Sequence, residues 1–148
     1  MLAPLDSSDP QKIVGMTGHM ILANAVLILM TIRLVIRIKT QLPPDADAGF
    51  SALNKVAKLA HYALYALVFA MVASGWGMAI AAGLPGIMFG ESTTPLPEDL
   101  TVFPARVAHG VFASILMLLV FGHFVAALYH QFVRKDKLLA RMWFGSRT

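Results

Sequence analysis

The chain has 148 residues, 57% of them hydrophobic and 14% charged, and it contains no cysteine. Soluble domains carry roughly a quarter charged residues, so a soluble enzyme with a water-facing surface is excluded. Without cysteine there is no disulfide framework, thiolate metal site, iron–sulfur cluster or covalent c-type haem attachment, and the length suits one compact membrane domain over residues 1–148.

A bilayer core asks for about 20 apolar residues per helix. Three segments meet that length in chain order: Ile13 to Ile38, Leu59 to Gly83 and Ala105 to Val133. The first makes a poor signal peptide, because Asp6 and Asp9 precede it where a basic start is needed. Lys39 to Lys58 connects the first two segments, with Pro43-Pro44-Asp45 as a breaker. Leu84 to Pro104 connects the second and third and reads as irregular, with Pro85-Gly86, Pro95 and Pro97 along it. Pro104 suits the first turn of the third helix, where no N–H is needed. The basic-apolar stretch Leu138 to Phe144 suits a short interfacial helix. The expected fold class is therefore an all-α membrane protein of three spans plus that short C-terminal helix.

Ten of the 12 Lys and Arg residues lie on one side. Arg33, Arg37, Lys39, Lys55 and Lys58 flank the first connection, and Arg134, Lys135, Lys137, Arg141 and Arg147 follow the third span. Lys12 and Arg106 lie on the other side with Asp6, Asp9, Glu91, Glu98 and Asp99. The positive-inside rule puts the N-terminus outside and the C-terminus in the cytoplasm. These charge runs serve topology and give a nucleic-acid partner no support.

All five histidines, His19, His61, His109, His123 and His130, fall within or at the ends of the apolar segments. A polar side chain at membrane depth is expensive and faces a partner. That partner is either another helix, through a hydrogen bond, or a haem iron, for which imidazole is a common axial ligand. His109 and His123 are fourteen residues apart, about four turns and about 21 Å along one helix. They present an imidazole near each membrane surface, the spacing that two stacked haems require. His19 and His109 both lie near the outer ends of their spans, at similar depth, and can clamp one iron between them. Gly15, Gly18, Gly110 and Gly122 beside these positions let a flat macrocycle or a second helix approach. His61 and His130 lie near the cytoplasmic surface as snorkelling residues, or as contacts to a quinone headgroup or haem propionates. By helix rise His61 is roughly 10 Å shallower than His123, which argues against a shared iron. Tyr62, Tyr65 and Tyr129 read as interfacial aromatics.

The runs His61-Tyr62-Ala63-Leu64-Tyr65, Ser74-Gly75-Trp76, Met88-Phe89-Gly90 and Val107-Ala108-His109 resemble the bacterial cytochrome b561 family. The run His123 to His130 with its trailing Arg134-Lys135-Asp136 does so too, and Arg33 to Arg37 is similar to the end of that family's second helix. The resemblance covers about Ile13 to Met142. It implies a four-helix membrane cytochrome of the bacterial inner membrane that binds two b-type haems and exchanges electrons with the quinone pool, one branch oxidising superoxide. Carried onto these residues, the outer haem is held by His19 and His109, and the inner haem by His123 with a ligand from the family's first helix. No counterpart of that helix is found here, which implies a fragment or misplaced start, a three-helix member with one haem, or a helix from another subunit. Three helices alone expose a flank and favour oligomers. The competing functions are a cytochrome b subunit of a periplasmic dehydrogenase or hydrogenase, docking through Leu84 to Pro104, and a non-redox membrane anchor.

Overall fold

The computed structural model describes residues 9–40, 50–90 and 94–135. Three long helices dominate: α1 (Pro10–Lys39), α2 (Ser51–Ala81) and α4 (Pro104–Leu128), with a short α3 (Leu84–Met88) ahead of α4. The last continues through a π-helical segment, Tyr129–Arg134, to give 31 helical residues from Pro104. At 1.5 Å per residue, helices of about 30 residues reach about 45 Å, long enough to cross a bilayer with its headgroups.

Local chemistry sets the ends. Asp9 caps α1 by accepting the Gln11 amide at 2.8 Å, and Pro10 follows in the first turn. Arg37 and Lys39 sit in its last turn, where cations meet the negative end of the helix dipole. Pro104 opens α4 as expected. Gly83, at φ 65°, makes the left-handed step between α2 and α3 that a side chain resists. Ahead of α4, Thr101 donates its amide and hydroxyl to Asp99, and these bonds hold the Asp99 carboxyl below the usual carboxylate range.

The packing inverts the arrangement of a soluble domain. Among the described residues only Ala79, Leu84 and Leu96 form a buried apolar core, with Ile13, Met16, Met20, Ile87 and Met88 packed around it. Large apolar side chains such as Leu22, Leu29, Ile36, Leu59, Met117, Leu118 and Phe121 are exposed. Exposed apolar surface on that scale needs a nonpolar solvent, and three uninterrupted helices satisfy their own backbone groups within it. Polar side chains on the spans do likewise: Thr31 donates to Leu27 O at 2.7 Å and Ser114 to Gly110 O at 3.0 Å. The core lies where α1, α2 and α3 meet, at the end expected to face outward.

Two expectations change. Helix α2 starts at Ser51, eight residues before the apolar run at Leu59, because Lys55 and Lys58 are good helix formers that keep the turn going. The connection from Leu84 contains α3 and is not wholly irregular. Pro43-Pro44-Asp45 and Leu138 to Phe144 lie outside the described residues.

Candidate functional site: paired imidazoles at two levels

Helices α2 and α4 run antiparallel in close contact, while α1 packs on α2 and α3. Across this frame the imidazoles of His19 (α1) and His109 (α4) come to 6.2 Å between ring centroids, with their planes at 80°. A metal–imidazole bond of about 2 Å, plus about 1 Å from nitrogen to ring centre, puts two trans imidazoles about 6 Å apart. The pair therefore has the separation that one iron needs.

The proton on His109 is placed by α2. Its Nδ1 lies 3.0 Å from Met71 O and 3.1 Å from Ser74 Oγ. A carbonyl only accepts, so Nδ1 carries the hydrogen and donates it. Ser74 spends its own proton on Met71 O at 2.9 Å and turns a lone pair toward the ring. That fixes the tautomer in which Nε2 keeps its lone pair, the arrangement of a metal-ligating histidine held by its outer shell. Ser74→Ala removes one acceptor of this shared bond. We expect a loss of about 1 kcal/mol, roughly five-fold in haem affinity, readable in a haem titration of the apoprotein.

Gly75 is the third part of this seat. A Cβ there would stand 3.2 Å from His109 Cε1 and 3.4 Å from Nδ1, so the ring rests directly on the α2 backbone. Next to it Trp76 Nε1 donates to Asn24 Oδ1 at 3.1 Å, and Asn24 Nδ2 donates to Met20 O at 2.8 Å. The first bond joins α2 to α1 about one turn below His19, and the second, within α1, orients the Asn24 amide for it. Around the two imidazoles lies an apolar cavity of about 140 Å³, bounded by Met16, Met20, Met71, Gly75, Trp76 and Met88 among others.

A second pair stands below the first. His61 and His123 come to 5.1 Å between centroids at 81°. This corrects the expectation that His61 is too shallow to meet His123. With α2 beginning at Ser51, His61 lies ten residues inside the helix, about 15 Å from its start, as deep as His123 from the other end. The register was present in the sequence: fourteen residues separate His61 from Gly75 on α2, and fourteen separate His109 from His123 on α4. Antiparallel helices that seat His109 on Gly75 must bring His61 to His123. On α1 the same step leads from His19 to Arg33.

His130 joins neither pair. It lies in the π-helical segment with its ring 6.1 Å from Tyr129. Beside it Gln131 Oε1 is a buried acceptor without a hydrogen-bond partner among the described residues, a residue that hydropathy alone did not single out. Among the described residues no cluster of three or more His, Cys, Asp or Glu is placed to hold a metal ion. Two imidazoles are few for zinc, which takes four ligands, but suit an iron whose macrocycle supplies the rest.

Comparison with known proteins bears on the family of the chain. The family model described as "Prokaryotic cytochrome b561" matches residues 1–145. The chain is 32% identical over 134 residues to "Cytochrome b562" of Cereibacter sphaeroides, covering 87% of this chain and 68% of that protein. It is 33% identical over 128 residues to "Cytochrome b561 homolog 2" of Escherichia coli, covering 82% and 68%. To "Probable superoxide oxidase CybB" of Yersinia pestis it is 26% identical over 131 residues, covering 84% and 72%. No solved structure gives a significant match. Haem b is the group such a family implies, and the donor set at His19 and His109, with an apolar wall and a glycine seat, fits it. The chain belongs to the prokaryotic cytochrome b561 family of membrane b-type cytochromes.

Proposed function

We propose that the chain carries single electrons across the bacterial inner membrane, from a donor at the outer face to the quinone pool. The observation that carries this reading is the 6.2 Å approach of His19 to His109, with Nδ1 of His109 tied to Met71 and Ser74. Haem b, when bound, supplies a one-electron iron couple. The residues would hold and insulate it: His19 and His109 as iron ligands, Gly75 as the seat, and the methionines and Trp76 as an apolar wall that excludes water. At the inner end, the imidazole N–H of His130 offers a donor for a quinone carbonyl or a haem propionate. The charge distribution orients the chain with its N-terminus outside.

Superoxide is the donor we favour, because a superoxide oxidase is among the relatives and because Lys12 and Arg106 stand at the outer end. Each superoxide gives up one electron and leaves as O₂. Two such electrons and two protons from the inner side convert quinone to quinol. Lys12→Gln with Arg106→Gln should slow reduction by superoxide several-fold at low salt and much less at high salt, since cations steer an anion only while unscreened. A stopped-flow rate that ignores both the substitutions and the salt removes this role. In the second reading the chain is the cytochrome b subunit of a periplasmic dehydrogenase or hydrogenase. Its docking surface would be the connection from Leu84 to Pro104, where Phe89 and Val102 are exposed. Co-purification of a soluble redox protein with the full chain would favour it over a stand-alone oxidase.

A further inference from the structure

We propose that Asn24 and Trp76 are positioning residues for the outer iron: their bond between α1 and α2 sets the register in which His19 meets His109. The proposal deepens the haem reading of those two histidines and rests on it.

Each ligand is placed through α2. His109 is fixed there by Met71, Ser74 and Gly75, while α1 packs on α2 and α3. His19 therefore reaches His109 only as accurately as α1 is set on α2. Apolar packing does little to set it, because lipid tails are as apolar as the facing helix and exert no hydrophobic drive between helices. A register error of one residue moves His19 about 1.5 Å along the helix axis and about 100° around it. Such a step would undo the 6.2 Å approach of the two rings.

A hydrogen bond is directional, and the one from Trp76 Nε1 to Asn24 Oδ1, at 3.1 Å, spans these two helices. The Asn24 amide can sit only one way. An indole N–H only donates and Met20 O only accepts, so Oδ1 faces Trp76 and Nδ2 faces Met20, at 2.8 Å. Both bonded neighbours adjoin the ligand machinery: Met20 follows His19 on α1, and Trp76 follows Gly75, the seat of His109, on α2. Asn24 and Trp76 also line the same apolar cavity as the two imidazoles. An amide in apolar surroundings is costly unless it is bonded, so only registers that pair it are favoured. Single polar residues among apolar ones fix helix register in coiled coils by the same penalty.

The test uses the full chain with Asn24→Leu, Trp76→Phe, the double variant and His19→Ala. Haem affinity is read by titration of the apoprotein, the outer haem by its midpoint potential and ferric low-spin resonance, and helix content by circular dichroism. We expect each single variant to keep its helices and to lose roughly three- to twenty-fold in haem affinity. Its potential should shift and its ferric signal change anisotropy, because His19 now meets the iron at another angle. The double variant should be no worse than the weaker single, since one bond is lost only once. Single variants with the signal and potential of the unmodified chain, beside a His19→Ala protein that has lost the outer haem, overturn the proposal and leave the ligand reading intact. Losses that add in the double variant overturn it as well, because the two residues then act separately. Loss of helix content together with haem in both single variants assigns the bond to the fold and overturns it too. A His19→Ala protein with an unchanged signal overturns the ligand reading and the proposal with it.

Discussion

His109→Ala is expected to abolish low-spin haem at the outer level, while Ser114→Ala, one turn and a half further along α4, should leave it intact. His109 is the junction of three elements: its ring faces His19 on α1, its Nδ1 is held by Met71 and Ser74 on α2, and its backbone belongs to α4. Outer-shell residues of a metal-bound histidine alone are worth about 10- to 100-fold in affinity, so loss of the ligand itself should weaken binding by more than about 100-fold. The helices remain, because α1 and α2 stay joined through Trp76 and Asn24 and through the apolar core at Ala79 and Leu84. Retained helix content with a lost reduced-minus-oxidised α-band is the expected pair of readings. A normal band in His109→Ala would detach His109 from the iron.

Gly75→Val is the second large effect, and it acts without touching a ligand. The first added carbon already stands 3.2 Å from the imidazole of His109, closer than ordinary packing allows. Alanine therefore forces a shift of a few tenths of an ångström, and valine adds two methyl groups to the same space. Overpacking of this kind costs about 1–3 kcal/mol. It also pushes the ring away from Met71 O and out of line with His19. We expect Gly75→Ala to keep most of its haem with a shifted midpoint potential, and Gly75→Val to lose the outer haem. Full occupancy in the valine variant, measured against protein concentration, would mean that the ring does not rest on α2.

The spans, and the approach of His19 to His109, were legible because long apolar runs and histidines set within them stand out in the sequence. Three such apolar runs suit a membrane, and histidines at matched depth on neighbouring spans can meet. The inner pair was hidden by where α2 begins. Apolar content stops at Leu59, but the helix continues back to Ser51 through Lys55 and Lys58, whose long stems lie along apolar surface while their charges reach water. Measuring depth from the apolar run placed His61 near the surface. Measuring it by register against Gly75 places it beside His123, and the repeated fourteen-residue step was the available sign. The π-helical turn at Tyr129–Arg134 and the acceptor Gln131 Oε1 were not legible, since hydropathy is blind to a change of hydrogen-bonding pattern. Asn24 and Trp76 read as ordinary span residues until the helices are assembled.

The most direct measurement is the low-temperature electron paramagnetic resonance spectrum of the oxidised, full-length chain. Near-perpendicular imidazole planes, 80° at His19 and His109, predict a strongly anisotropic low-spin ferric signal, lost in both His19→Ala and His109→Ala. A chain that carries no haem, or one whose low-spin signal survives both substitutions, would contradict the claim that these two histidines grip one iron between α1 and α4.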